Sequence, residues 1–127
     1  MPARFRPRQR LRTRAEFDRV FRRGQRLDGR LFLLIAAASG QPQQRLGLVV
    51  SRKLGGAVQR NRAKRLLREA FRRLTPDGRE ALDVVVLAKP EIVGRGLGEV
   101  QRELERRLRG VRAAPARRGG ASAAPAR

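Results

Sequence analysis

The stretch from Gln59 to Leu74, QRNRAKRLLREAFRRL, constrains the fold most, because two opposed demands meet on it. Ala63, Leu66, Leu67, Ala70, Phe71 and Leu74 recur at i, i+3, i+4, i+7, i+8 and i+11, which predicts an amphipathic helix over about 58–74. Arg60, Arg62, Lys64, Arg65, Arg68, Arg72 and Arg73 crowd the remaining positions, with Glu69 as the one acid among them. At roughly 100° per residue, Asn61, Arg65, Arg68 and Arg72 lie opposite the apolar stripe. Such a helix must cover an apolar surface with one face and carry unneutralised charge on the other. Like charges one turn apart cost a few tenths of a kcal/mol per pair, so the strip needs a compensating anion from outside.

A second amphipathic segment, about 97–110, serves as an internal control. Leu97, Val100, Leu104 and Leu108 face inward, while Glu99, Glu103 and Glu105 interleave with Arg102, Arg106, Arg107 and Arg109. That helix balances its own charge, as a solvated face does. The chain as a whole carries a formal net charge of +21, from 32 Lys and Arg against 11 Asp and Glu. Such an excess repels itself on folding and points to a polyanionic partner. All the cations but Lys53, Lys64 and Lys89 are arginines, whose planar fork suits phosphates and base edges.

The remaining segments place these helices in one α+β domain. Residues 1–12 form a basic arm with prolines at 2 and 7. Thr13 and Glu16 make a capping box for a helix over 14–23, with Phe17, Val20 and Phe21 on one face and Gly24 as its stop. Strands are expected at about 30–37 and 45–52, joined through SGQPQQ as an open hairpin. TPDG ends the central helix, and the continuous run in ALDVVVLAKP predicts a strand covered on both faces. Residues 111–127 are low-complexity and expected to be disordered. The domain proper is therefore expected over 13–110.

Several function classes are excluded by what the chain lacks. It has no cysteine and no histidine, and no acid pair stands at metal-ligand spacing beside a nucleophile. No catalytic residue, metal ligand or bound cofactor is assigned to the chain; any hydrolysis it assists is carried out by another molecule. The longest apolar run, Leu31 to Ala38, is too short to span a bilayer, and no signal-peptide pattern occurs, so a cytoplasmic protein without a membrane partner is expected.

The spacing Arg-Asn-Arg-x-Lys-Arg-x-x-Arg, carried by Arg60, Asn61, Arg62, Lys64, Arg65 and Arg68, resembles the RNR motif of the bacterial ribonuclease P protein subunit. The stretches RLRTRAEFDRVFRRG, RLGLVVSRKLGGAVQRNR and DVVVLAKP resemble that family's opening helix, pre-motif strand and late strand, so the likeness spans roughly residues 10–110. The resemblance implies an α-β-β-β-α-β-α order similar to the second domain of ribosomal protein S5, with a left-handed crossover and a weak first strand within Gln25–Gly29. It also implies a role as the subunit of an RNA-based endoribonuclease that removes the 5′ leader of precursor tRNA. The catalytic RNA would use Mg²⁺, and one monomeric protein would serve each RNA. On this basis Arg60, Asn61, Arg62, Lys64, Arg65, Arg68 and Arg72 would bind the RNA subunit. Phe17, Phe21, Arg52, Lys53 and Asn61 would meet the leader in a cleft between the sheet and the RNR helix.

Read from the residues alone, each of these positions has a second reading. Phe17 and Phe21 fit a core face, Asn61 fits a helix start, and Arg52 and Lys53 fit a solvated strand end. Two positions depart from the family's pattern. Ile35 stands where many relatives place a tyrosine, and Gly56 replaces the asparagine of the usual Gly-Asn-Ala-Val. A ribosomal protein or RNA chaperone would share the charge but would not need the motif together with the capped Phe helix. A DNA-compacting protein would bind duplex DNA at least as well as structured RNA.

Overall fold

The computed structural model describes residues 10–39, 44–74 and 82–113. Its elements are α1 (Arg14–Arg23), β1 (Gln25–Asp28), β2 (Phe32–Ala38), β3 (Arg45–Val49), α2 (Ala57–Arg72), β4 (Leu82–Ala88) and α3 (Leu97–Ala113). This is the α-β-β-β-α-β-α order that the resemblance implied. Short 3₁₀ turns at Arg52–Leu54 and Pro90–Ile92 precede α2 and α3. TPDG, the centre of the SGQPQQ turn, residues 1–9 and the tail from 114 lie outside the described residues.

The four strands run in the order β1-β2-β4-β3. β4 pairs antiparallel with β2, from Phe32–Ala88 to Ala38–Leu82, and parallel with β3, from Arg45–Asp83 to Val49–Leu87. The expected hairpin between β2 and β3 is therefore wrong: β4 lies between them, and the hairpin is β1–β2. The cause is the unbroken apolar run of β4. Val84, Val85 and Val86 are all fully buried, and a strand with two apolar faces gains most at the centre of a sheet covered on both sides. β3 then reaches β4 through the crossover helix α2.

Side chains alternate across the sheet and sort into two cores. Phe32, Leu34, Ala36, Leu46, Val84 and Val86 face α2 and α3, where Ala63, Leu67, Ala70, Phe71, Val100, Leu104 and Leu108 meet them. Ile35, Ala37 and Val85 face α1 and bury Val20 and Leu11. The domain also extends beyond the expected limits. Leu11 is buried and its N–H donates to Leu46 O at 3.0 Å, and Arg10 bridges Leu46 in parallel, so the end of the supposed arm belongs to the sheet edge. α3 continues to Ala113 with Val111 buried, so the helix takes in the start of the supposed tail.

The capping box on α1 forms as expected. Glu16 N–H donates to Thr13 Oγ1, and the Glu16 carboxylate accepts the N–H groups of Arg12 and Thr13 at 2.7 and 3.0 Å. Those N–H groups, with the Arg45 guanidinium, hold the Glu16 carboxyl below its ordinary value. Gly24 ends the helix for a different reason than a left-handed stop. Its φ is −80°, but a Cβ there would stand 2.5 Å from Ile35 Cγ2, so glycine lets the chain turn tightly onto the sheet.

One charged group is buried in the α1 face. Asp83 is fully buried and accepts two bonds from Arg45, Nε to Oδ1 at 2.9 Å and Nη2 to Oδ2 at 2.8 Å. Arg19 of α1 adds a third at 3.0 Å, and its other nitrogen donates to Ala38 O at 2.8 Å. Arg45 also reaches Glu16 at 3.1 Å, tying β3, β4 and both ends of the helix start together. Charge-assisted bidentate bonds of this kind are strong, and removing one partner leaves buried charge unmatched. Asp83→Ala should therefore destabilise the domain by about 3 kcal/mol in urea unfolding followed by circular dichroism. A loss below about 1 kcal/mol, the range of an exposed pair, would make the network incidental.

Candidate nucleic-acid interface

α2 presents the cationic strip where its periodicity placed it. Ala63, Leu67, Ala70 and Phe71 are buried against the sheet and α3, while Asn61, Arg62, Arg65 and Arg73 are exposed and Arg60, Lys64, Arg68 and Arg72 are half-buried. Glu69 divides the strip. Its carboxylate takes the Arg72 guanidinium and, at 2.8 Å, Arg73 Nε. Those bonds, Arg72 first, lower the Glu69 carboxyl to about 2. Arg72 is thus already held by an acid of its own helix, unlike the residues before it. Arg60, Asn61, Arg62, Lys64, Arg65 and Arg68 form no side-chain hydrogen bond or ion pair among the described residues.

Arg68 is the most costly of these. Burial lowers its affinity for the proton, and repulsion from Arg10, brought alongside by the β3 edge, adds to that. A cation partly removed from water, beside another cation and without an acid, is stabilised only when an anion arrives. Arg60 has a buried Nε without a hydrogen-bond partner among the described residues. The proximity of Arg10 to Arg68 was not legible in the sequence, where they are separated by most of the sheet.

The approach to α2 depends on two glycines with different tasks. Gly55 has φ +126°, a conformation side chains rarely adopt. Gly56 is the N-cap with ordinary extended backbone and gives no side-chain cap, so the asparagine it replaces would have had a donor to satisfy. Arg52 and Lys53 lie not on a strand end, as expected, but on the exposed 3₁₀ turn capped by Ser51. They follow β3 directly and stand before the uncapped N-terminus of α2, whose first turn holds no acid.

Phe17 and Phe21 belong to the other face. The Phe17 ring lies over Gly47, where a Cβ would come within 2.6 Å of Cζ, and is half-buried; Phe21 is 39% exposed. Across three strands the row Leu33, Leu87 and Val49 packs against the same cluster yet is only half covered. This half-covered apolar floor beside α1 is the open surface of the sheet. The cleft expected between the sheet and the RNR helix is filled by core side chains, because α2 spends its whole apolar face there. Asn61 consequently sits on the helix that packs against the opposite face from Phe17 and Phe21. Ile35, at the tyrosine position, is fully buried under α1 and offers no ring to this surface. Gly47 is the residue sequence reasoning missed; a glycine inside a strand was the available signal of close approach. Among the described residues no three His, Cys, Asp or Glu side chains gather as a metal site, and no helix is long and apolar enough to cross a membrane.

Comparison with known proteins agrees with this geometry. The family model described as Ribonuclease P matches residues 5–112. The ribonuclease P protein component of Brevibacillus brevis is 37% identical over 114 residues, covering 87% of this chain and 90% of its own. That of Thermotoga maritima is 38% identical over 88 residues, covering 69% and 75%. Among solved structures, the RNase P protein of Staphylococcus aureus superposes with a TM-score of 0.70 at 31% identity, covering 81% of this chain and 94% of that one. The Thermotoga maritima protein gives 0.67 at 33% identity, covering 76% and 92%. With the motif on a cationic helix, and sequence and fold matched over most of the chain, the protein belongs to the ribonuclease P protein family, the protein subunit of the ribonucleoprotein that processes tRNA 5′ ends.

Proposed function

We propose that this protein grips the catalytic RNA of ribonuclease P through Arg60, Asn61, Arg62, Lys64, Arg65 and Arg68. On the same reading it receives the 5′ leader of precursor tRNA on the half-covered floor beside α1. Arg68, partly buried and without an acid partner among the described residues, carries the first half: an RNA phosphate would compensate it. Arg72, also expected to bind the RNA subunit, contributes less, because Glu69 competes for it. Asn61 can donate to a phosphate or ribose and accept from a base edge.

The second half rests on Phe17, Phe21 and the row Leu33, Leu87 and Val49, an apolar surface that single-stranded bases can cover. Arg52 and Lys53, just beyond Val49, supply the phosphate contacts that keep the leader in line. On this reading hydrolysis and its Mg²⁺ belong to the RNA. One monomeric protein per RNA, working in the cytoplasm on precursor tRNA, completes the reading.

The decisive assay is leader cleavage of a precursor tRNA at low Mg²⁺, with the catalytic RNA alone, with the protein alone, and with both. Cleavage restored only by both supports the reading; no rescue by well-folded protein overturns it. Arg68→Ala should weaken RNA binding and reduce the salt slope by about one phosphate's worth, as read by filter binding across a salt series. An unchanged slope would take Arg68 out of the interface. Phe21→Ala removes little core and should weaken precursor binding about fivefold or more, the lower end of what one base–aromatic stack is worth. Mature tRNA binding should hold, and equal loss for both substrates would remove the leader from this surface.

A further inference from the structure

A second arginine-lined site lies at the far edge of the sheet. β1 and β3 are the outer strands, three strand spacings or roughly 15 Å apart, and α3 packs against β1 while α2 packs against β3. Between the β1–β2 turn and α3 is a cavity of about 440 Å³, lined by Arg30, Arg102, Arg106 and Arg107 and by three acids. Its size falls within the range of ligand sites.

The acids are already engaged. Asp28 holds Lys89 Nζ at 2.8 Å, Glu99 holds Arg95 at 3.0 Å, and the buried Glu103 accepts the Arg30 backbone N–H at 2.9 Å. Gly29 makes room for that carboxylate, since a Cβ there would sit 2.1 Å from its oxygen. The guanidiniums are not engaged to the same degree. Arg30 stands 3.7 Å from Glu99 and Arg106 3.7 Å from Glu103, beyond hydrogen-bonding distance. Arg107 Nε stands 4.0 Å from Glu103 Oε2 and is buried without a hydrogen-bond partner, although Nη1 reaches Asp28 O at 3.2 Å. Arg102 makes no ion pair among the described residues. Donors therefore outnumber the acceptors that reach them, and the buried Nε is the group that most needs one.

We propose that this cavity is a second phosphate-binding site, in which Arg102, Arg106 and Arg107 hold a backbone phosphodiester of the RNA subunit. The proposal rests on the reading of the protein as that RNA's partner. An RNA held at both sites would be gripped across the width of the helical layer, fixing the orientation of the domain as well as its position. A single strip cannot do this, because phosphate contacts along one helix leave rotation about that helix free.

The test compares the wild-type chain with Arg102→Gln/Arg106→Gln, two exposed positions whose replacement leaves the core intact. Equal thermal melting of the two proteins establishes the fold. Binding to the catalytic RNA across a salt series should show a slope smaller in magnitude by roughly 0.8, about one phosphate's worth. Wild-type binding with an unchanged slope in the double variant overturns the site and leaves the partner assignment standing. Failure of the wild-type chain to bind the RNA at all counts instead against the partner assignment on which the site depends. Inorganic phosphate alone, followed by the Arg107 Nε–H resonance, separates the possible sources. A saturable shift with phosphate, combined with an unchanged RNA slope, would mean a small-anion site and would equally overturn the proposal.

Discussion

The architecture depends on a strand that is apolar on both sides. Because Val84, Val85 and Val86 leave β4 no solvent face, the sheet must carry helices on both surfaces and β4 must sit inside it. Two helices cover most of one face. Among the described residues the other face receives Leu11 and the ten-residue α1, which reaches Val85, Ile35 and Ala37 but leaves the row Leu33, Leu87 and Val49 half open. The half-covered apolar floor is thus what remains when one short helix covers a sheet too wide for it.

That shortness is why α1 has to be held in register. Its apolar contact with the sheet is small, and Val20 is its one fully buried side chain. The Asp83 network supplies what packing does not, because Arg19 and Glu16 on the helix share Arg45 and Asp83 with two strands. Direction comes from hydrogen-bond geometry, which apolar burial lacks. Phe17, on the same helix, lies over Gly47.

The charge of the molecule follows a related logic. Acids are placed where the domain needs them, at the α1 cap, under α1, at the C-terminal end of α2 and along α3. The N-terminal two-thirds of α2 receives none. Self-repulsion there is a cost to the free protein, offset by core packing on the opposite face of the helix. Glu69 marks the limit of the strip: past it, the arginines are paired and the helix behaves as an ordinary surface.

Much of this was legible in the residues. The capping box and its helix over 14–23, the amphipathic α2, the apolar face of α3 and the two-sided burial of β4 follow from spacing and local chemistry, which act over one or two turns. So did the identity of the cationic strip. The neighbour relations of the strands were not legible: β2 and β3 adjoin in the chain and look like a hairpin, yet β4 separates them. Strand pairing is decided by which arrangement buries the most apolar surface globally, and no local pattern encodes it. For the same reason the open groove fell on the α1 face rather than beneath α2, Leu11 joined the core, and Arg10 came to stand beside Arg68. The sequence by itself determined the elements, their faces and the need for a polyanionic partner, because periodicity and charge are local. Only the tertiary structure decided which cations are unpaired and which apolar surface stays open, because both depend on contacts between residues far apart in the chain.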